Sequence, residues 1–342
     1  MKSTLLLLAV VGLAALAGCE APVGQKEPLS EGKKPVGEGK VLLTVDFQQG
    51  QTLQYRFVSG REIDLDWGPT KAASGSAKST VNKFSESMEM VVAYTPVEVD
   101  PYGLTTIKAT CKKVMVTRGK GAGARPPMKD AVESFAGKTY TLTVGPTGKI
   151  EDYSQLNKLI EELGKEPFHE DSKAGRIKEP DMIGDLVASQ WFLWDSISSI
   201  GNPTEGASVG QTWRSKLSVP APMVMRKARE VTYRLSEIRD NEKGRLAAIQ
   251  SSYSPADSVP SSWPIPYAGT FQMTGTFGFL RGYRVLDLKG QGEELFNIDQ
   301  GRIEHYDQQY EMRLAASLPL PIGANPTITI RQKLTMQLIV DQ

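Results

Sequence analysis

A regular alternation of apolar and polar residues runs through most of the chain from Lys40 onward. Successive side chains of a β-strand point to opposite faces, so this period of two predicts strands with one buried face and one solvent-exposed face. Two C-terminal runs carry apolar residues at every second position: Met312, Leu314, Ala316 and Leu318, then Leu334, Met336, Leu338 and Val340. Strands of this length exceed the usual five or six residues and predict bent ribbons. The expected class is mainly β (α+β), with one or more long, curved antiparallel sheets.

Residues 154–200 depart from this pattern and predict a helical insert. Four apolar residues at helical spacing follow Ser154, which suits an N-cap: Leu156, Leu159, Ile160 and Leu163. A second helix is expected from Met182 to Ile200, where apolar residues form a broad stripe. Such a stripe needs an apolar surface to cover it, so we expect this helix on the concave face of the sheet.

Short recurring strings divide the β-rich part into two related units. The string Gly-Gln-Thr opens a strand at residues 50–52 and again at 210–212, and a long hairpin follows each time. The strings Gly-Lys-Ile at 148–150 and Gly-Arg-Ile at 301–303 then lie at hairpin turns. The order of these signals predicts a first β unit at 40–153 and a second at 201–342, on either side of the insert. Whether the units share one sheet or form two is left open.

The N-terminus carries an export signal. Lys2 precedes roughly a dozen apolar residues, which is too short to span a bilayer and typical of a cleaved signal peptide. The segment Leu16-Ala17-Gly18-Cys19 resembles a bacterial lipobox, which implies cleavage after Gly18 and acylation of Cys19. Residues 1–18 are then the signal peptide. Residues 19–39, rich in Pro, Gly and charge, are the acylated cysteine and a disordered tether.

The lipid on Cys19 is the expected membrane anchor, and the expected location is the cell envelope. Glu20 follows Cys19 where an aspartate would resemble an inner-membrane retention signal, so the resemblance implies the outer membrane in a cell with two membranes. Cys111 is the other cysteine of the chain. If Cys19 carries lipid, no internal disulfide can form, and Cys111 is expected to be a small buried hydrophobe.

Charge argues against nucleic acid as a partner. The chain holds 40 Lys and Arg against 39 Asp and Glu, a formal net charge of +1. Binding to phosphates needs a surplus of basic side chains that release counterions from the nucleic acid. The remaining expected partners are the membrane, through the lipid, and a hydrophobic ligand or another envelope protein.

The search for catalytic chemistry predicts no enzyme, no metal and no cofactor. Residues 206–210 fit the G-x-S-x-G form around Ser208, but a polar loop precedes them and a strand follows, whereas a nucleophile elbow joins a strand to a helix. The histidines of the chain are His169 and His305. His169 lies in the clustered trio His169-Glu170-Asp171, which is expected to be solvated. A serine hydrolase is the remote alternative.

The lipobox, the short tether and the GQT and G-[KR]-I strings together resemble a group of bacterial envelope lipoproteins of uncharacterised function. That resemblance transfers no catalytic residue and implies a non-enzymatic binding or scaffolding role. A looser, architectural similarity exists to half-barrel lipid carriers of the bacterial envelope. It suggests the alternative, a carrier of lipids or other hydrophobic ligands. The candidate lining of its cavity is the set Met88, Met90, Trp191, Trp194, Met312 and Met336.

Overall fold

Eleven antiparallel strands form one open sheet in the computed structural model, which describes residues 39–70, 78–119, 130–165, 176–178, 182–223, 227–258, 272–318 and 325–339. The strands are β1 (Leu53–Thr70), β2 (Lys78–Val99), β3 (Thr105–Arg118), β4 (Thr139–Val144), β5 (Ile150–Asp152), β6 (Arg176–Lys178), β7 (Thr212–Ser218), β8 (Ala228–Asn241), β9 (Gly244–Ala256), β10 (Gln272–Thr274), β11 (Arg281–Asn297), β12 (Arg302–Ser317) and β13 (Thr327–Ile339). The predicted class, a mainly β fold with a curved sheet and a helical insert, is confirmed.

The strand order of the sheet is β5-β4-β3-β2-β1-β13-β12-β11-β9-β8-β7, and β6 and β10 form a separate parallel pair. The first and last strands therefore meet in the middle, where Phe57 on β1 pairs with Met336 on β13 and Ile63 pairs with Ile330. On each side of this pair the chain runs back and forth between neighbouring strands. Apart from β10, the described strands of the two predicted β units thus lie in one sheet.

The two Gly-Gln-Thr strings form the same turn. Gly50 and Gly210 have φ values of 81° and 90°, a left-handed conformation that glycine adopts without strain. The next residue donates its N–H to the carbonyl three positions back in both turns, at 3.0 Å for Gln51 and 2.9 Å for Gln211. Each glycine N–H also bonds the facing strand, at Pro96 and at Leu235. Duplication of the β unit stays a prediction that these matched hydrogen bonds favour.

The buried side chains follow the predicted parity on one face, called here the inner face. Met312, Leu314 and Ala316 on β12 are buried, as are Leu334 and Met336 on β13. Cys111 on β3 is also buried and free, as predicted, and burial raises the pKa of its thiol to about 12. The opposite, outer face of these strands carries the exposed polar residues.

The helical insert lies on the inner face and differs from the prediction in one respect. The helices of the described residues are α1 (Ser154–Lys165), α2 (Ile183–Phe192), α3 (Asp195–Ser198) and α4 (Gly275–Phe279), with short 3-10 helices at Ala131–Phe135 and Pro203–Glu205. Helix α1 matches its prediction. The prediction of a single helix from Met182 to Ile200 is wrong. Helix α2 ends at Phe192, and the separate helix α3 begins at Asp195, after Leu193 and Trp194. Trp194 packs edge-on against Phe47 and Tyr94, a tertiary contact that the helical pattern does not reveal.

Two glycines on β1 and β11 differ in the space around them. A Cβ atom at Gly60 on β1 would meet no atom within 4 Å. One at Gly290 on β11 would clash with the backbone oxygen of Gln309 and would lie 2.5 Å from the Cβ of Tyr310 and 2.7 Å from the ring of Tyr253. Gly290 therefore makes room for two aromatic side chains on the inner face.

We predict that Gly290→Ala destabilises the protein by about 1–3 kcal/mol, because the backbone of β12 at Gln309 and both aromatic side chains must move. The matched change Gly60→Ala should leave stability equal or slightly higher, since glycine weakens a strand interior. Urea unfolding of both variants measures the difference. Equal stability of the two variants would contradict the tight packing at Gly290.

Candidate functional site

A buried ionic cluster fixes the start of helix α2 to the centre of the sheet. Arg61 on β1 lies between Glu86 on β2 and Asp185 on α2, with its Nη1 atom 2.6 Å from the Asp185 carboxylate and its Nε atom bonded to Glu86. All three side chains are at most 1% exposed. The other carboxylate oxygen of Asp185 accepts from the hydroxyl of Ser59 at 2.7 Å and from the amide of Gln332 on β13. One helix residue therefore joins two central strands and, through Arg61, a third.

The charges in this cluster depend on one another. Burial by itself would lower the pKa of Arg61, but Asp185 and Glu86 raise it above its ordinary value. Burial raises the pKa of Glu86, against the opposing effect of Arg61 and Arg118. A buried charge that loses its partner costs far more than an exposed one, so each member of the cluster needs the others in place.

The middle of helix α2 is held by a second polar contact. The side-chain oxygen of Gln190 accepts two hydrogen bonds, from the hydroxyl of Tyr94 at 2.5 Å and from that of Tyr140 at 2.7 Å. Its amide nitrogen donates to the carbonyl of Leu186 at 3.1 Å. All of these side chains are buried, so Gln190 ties α2 to β2 and β4 without an unpaired polar atom.

Helix α3 carries a third set of polar contacts, toward the edge formed by β7 and β8. Asp195 accepts from the hydroxyls of Ser215 at 2.8 Å and Tyr233 at 2.7 Å. Ser196 donates to the Glu294 carboxyl on β11. Burial raises the pKa of Asp195 to about 6, and it raises the pKa of Glu294 to about 8. The fold thus favours a protonated Glu294 at neutral pH.

The end of α2 contacts a buried arginine. The guanidinium of Arg229 lies over the rings of Phe192, Tyr253 and Tyr310, at 4.6, 4.3 and 5.1 Å from their centroids. Its Nη2 atom donates to Gln308 at 2.8 Å. Its Nε and Nη1 atoms have no hydrogen-bond partner among the described residues. Cation–π attraction in this dry setting stabilises the charge and positions Phe192.

The six predicted cavity-lining residues belong to the packed core. Met90 on β2 and Met336 on β13 both pair with Phe57, on either side of β1, and Met88, Met312 and Trp194 are buried near them in the same core. Trp191 is half-buried and packs edge-on against Tyr153 at 5.2 Å. The structure brings the methionines to one face, as the alternation predicted. A ligand at these residues stays a prediction.

One small cavity lies on the inner face beside the helical insert. It is lined by Phe192, Tyr306 and Glu294, among others, and has a volume of about 20 Å³. That is room for about one water molecule. Helix α2 is itself buried on nearly all sides.

A larger hollow lies on the other face of the sheet. This outer trough has a volume of about 950 Å³ and crosses the middle of β2, β1, β13, β12 and β11 and the C-terminal end of β3. Its accessible surface is mostly apolar, although many of its lining side chains also carry polar or charged groups: Gly60, Glu62, Ser85, Ser87, Thr117, Lys289, Gln291, Gln309, Glu311, Arg331 and Lys333. A second hollow of about 470 Å³ continues it toward β9. Gly60, a glycine within a strand, is the sequence signal that could have indicated it.

Charges along the trough are paired with one another. Arg331 contacts Asp64 at 2.8 Å and Glu311 at 3.0 Å, and Lys333 contacts Asp307 at 3.1 Å. Exposed pairs of this kind contribute little to stability. They leave the trough close to neutral, with hydroxyl and amide groups between the charges.

The sequence candidates for catalysis are not assembled into a site. Ser208 lies in the turn that opens β7, where its carbonyl accepts from Gln211, and no helix follows it. His305 lies on β12 and pairs with Gln337. His169 lies outside the described residues, as do Gly18 and Cys19. In the part of the chain that the structure describes, no group of three or more His, Cys, Asp or Glu side chains could hold a metal ion.

Comparisons with known proteins leave the function open. No family model and no curated protein sequence matches the chain. A structure concerned with lipid–protein interactions in lipovitellin is similar with a TM-score of 0.39 and 12% identity, over 87% of this chain and 26% of lipovitellin, so the chain spans about a quarter of that protein. An outer membrane channel from Pseudomonas putida F1 gives a TM-score of 0.18 and 8% identity over 86% and 97% of the two chains. The outer membrane protein OprG from Pseudomonas aeruginosa gives 0.15 and 8% over 86% and 96%. Scores this low carry no argument about fold or function.

We predict that stability falls as pH rises through the range set by Glu294. Its pKa is about 8 in the folded protein against 4.5 ordinarily, so folding binds a proton between these values and unfolding releases it. The loss of folding stability that Glu294 causes is complete above about pH 8. Asp195 acts in the same direction but only up to about pH 6.

The variant Glu294→Gln should remove the decline between pH 6 and pH 8, which we expect to be on the order of 2 kcal/mol. Glu293→Gln, on the neighbouring exposed residue, is the matched control and should keep the wild-type profile. Urea unfolding at a series of pH values measures all three. A flat wild-type profile over this range would contradict the buried, protonated state of Glu294.

Proposed function

We propose that the protein is a lipid-anchored envelope protein with a non-enzymatic binding or scaffolding role. The anchor is the lipid expected on Cys19, which the resemblance to a lipobox implies. One structural observation supports binding over transport: helix α2 and helix α3 occupy the inner face and are bonded to it by buried polar groups. A carrier would need free space on the inner face for its ligand, and these helices take up part of that face.

Buried polar contacts hold helices α2 and α3 in defined positions on the inner face. Asp185, Gln190 and Asp195 follow one another at intervals of five residues, and each accepts at least two hydrogen bonds from sheet side chains. An apolar helix could slide or lift to admit a ligand at small cost. Helix α2 with two such attachments and helix α3 with one must break hydrogen bonds and leave polar groups unpaired in a dry core if they lift from the sheet.

A binding role then falls to the exposed surface. No helix in the described ranges is long and apolar enough to cross a membrane. The outer trough is a concave region lined by six strands. Apolar surface bordered by charged, hydroxyl and amide groups suits a partner that offers both apolar and hydrogen-bonding groups.

The test is the lipid content of the protein without its anchor. The chain with Cys19→Ser is purified from cells without detergent, extracted with organic solvent and examined by mass spectrometry. We expect no lipid in stoichiometric amount, and no change in tryptophan fluorescence when a fatty-acid probe is added. Trp194 lies in the core beside the sheet and would report such a ligand.

Stoichiometric lipid, or saturable quenching by the probe, would contradict the proposal and favour the carrier. The wild-type chain provides the other arm of the test. Grown with a labelled fatty acid, it should incorporate the label and sediment with membranes, whereas the Cys19→Ser chain should do neither. Incorporation into both chains would contradict acylation at Cys19.

A further inference from the structure

The strand connections at one end of the sheet share a surface with the start of the described chain. This end, called here the tether end, holds residues 39–50 and the turns at 100–104, 145–149 and 298–301. Residues 39–50 run across the tether end and form hydrogen bonds to several of its neighbours. Val41 exchanges two backbone hydrogen bonds with Ala207, Asp46 donates to Gly301, and Gly50 donates to Pro96. The point where the tether joins the fold is therefore fixed.

Exposed apolar side chains concentrate at the tether end. Ten large hydrophobic residues in the described chain are exposed. Leu42, Tyr102 and Leu104 lie in the tether end, and Val97, Val209 and Ile339 lie directly beside it. Tyr102 is 87% exposed and Leu42 is 55% exposed, whereas Leu43 beside it is buried in the core. Single exposed hydrophobics are ordinary, but a concentration at one end indicates a contact surface.

The turn that presents Tyr102 and Leu104 is rigid. The carboxylate of Asp100 accepts from the backbone N–H of both residues at 2.8 Å, and the backbone of Asp100 bonds Gly103 and Leu104. Gly103 has a φ of 83°, and a Cβ atom there would lie 2.9 Å from Pro146 in the next turn. The fold holds this turn in place without using either apolar side chain, so their exposure needs another explanation.

The expected anchor identifies what covers this surface. Cys19 precedes Gly39 by twenty residues of predicted flexible chain, whose root-mean-square reach is about 25 Å. A lipid on Cys19 keeps the tether end within that distance of the bilayer. Tethering raises the effective concentration of the two surfaces to about millimolar, so weak apolar contacts are enough to hold them together.

We propose that the tether end rests on the lipid bilayer, with Tyr102, Leu104 and Leu42 at the level of the lipid headgroups. Tyrosine suits that depth, because its ring is apolar and its hydroxyl stays wet. This docking rests on the proposed lipid anchor. It would orient the strands so that the opposite end of the sheet points away from the membrane.

The experiment uses the full acylated chain in phosphatidylcholine vesicles, with an environment-sensitive NBD label on one introduced cysteine. Tyr102→Cys and Leu42→Cys place the label at the tether end. Leu286→Cys is the matched control, an exposed apolar residue near the far end of β11. The native thiols do not compete, because the lipid blocks Cys19, and burial raises the pKa of Cys111 to about 12.

We expect the labels at 102 and 42 to emit at shorter wavelength on vesicles, to be quenched by nitroxide lipids and to lose their quenching by aqueous iodide. The label at 286 should stay accessible to iodide.

If the chain floats with the vesicles while all three labels stay accessible, docking is contradicted and the anchor stands. A chain that carries no lipid and does not float contradicts the proposed function and docking together. Shielding of residue 102 in the vesicle-free Cys19→Ser chain would show that a second copy covers the surface, and would also overturn docking.

Discussion

The contact between Asp185 and Arg61 is the interaction on which the rest of the fold depends. Both groups lie in the dry space between helix α2 and the centre of the sheet, and the Asp185 carboxylate raises the pKa of Arg61 above its ordinary value. Asp185 also accepts from Ser59 and Gln332, so one carboxylate holds the central strands β1 and β13 against the helix. The sheet is open and long, and without the insert its apolar inner face would meet water.

The two faces of the sheet therefore differ in their surroundings. On the inner face, a polar seam of Glu86, Arg61, Gln332, Tyr310 and Gln308 crosses neighbouring strands between apolar layers. Asp185 on helix α2 bonds Arg61 and Gln332 of that seam, whereas helix α3 bonds Ser215, Tyr233 and Glu294 on other strands. On the outer face the same strands leave a trough open to solvent. The helical insert thus covers one face of the sheet and leaves the other exposed.

The sequence predicted the features that local periodicity controls. Alternation gave the class, the buried parity of β12 and β13 and the burial of Cys111, and the recurring Gly-Gln-Thr strings marked two turns with the same hydrogen bonds. It could not predict the partners of the polar residues that break the apolar face. Gln308 interrupts the pattern as a lone polar residue, and Arg61 continues the parity of Ile63 without any local sign of burial, because Asp185 lies more than a hundred positions away. The break between α2 and α3 was missed for the same reason, since the contacts of Trp194 with Phe47 and Tyr94 are long-range. The trough was not predicted, because each of its residues taken alone is typical of a solvent-exposed strand face.

Native-state hydrogen exchange tests the central claim most directly, because it measures the free energy at which each amide opens. If helix α2 is a structural filler bonded to the sheet, its amides should open only with those of β1 and β13, in one cooperative step near global unfolding. Exchange of α2 at much lower free energy than the two central strands would mean that the helix is a detachable lid over a binding cavity, and would contradict the account.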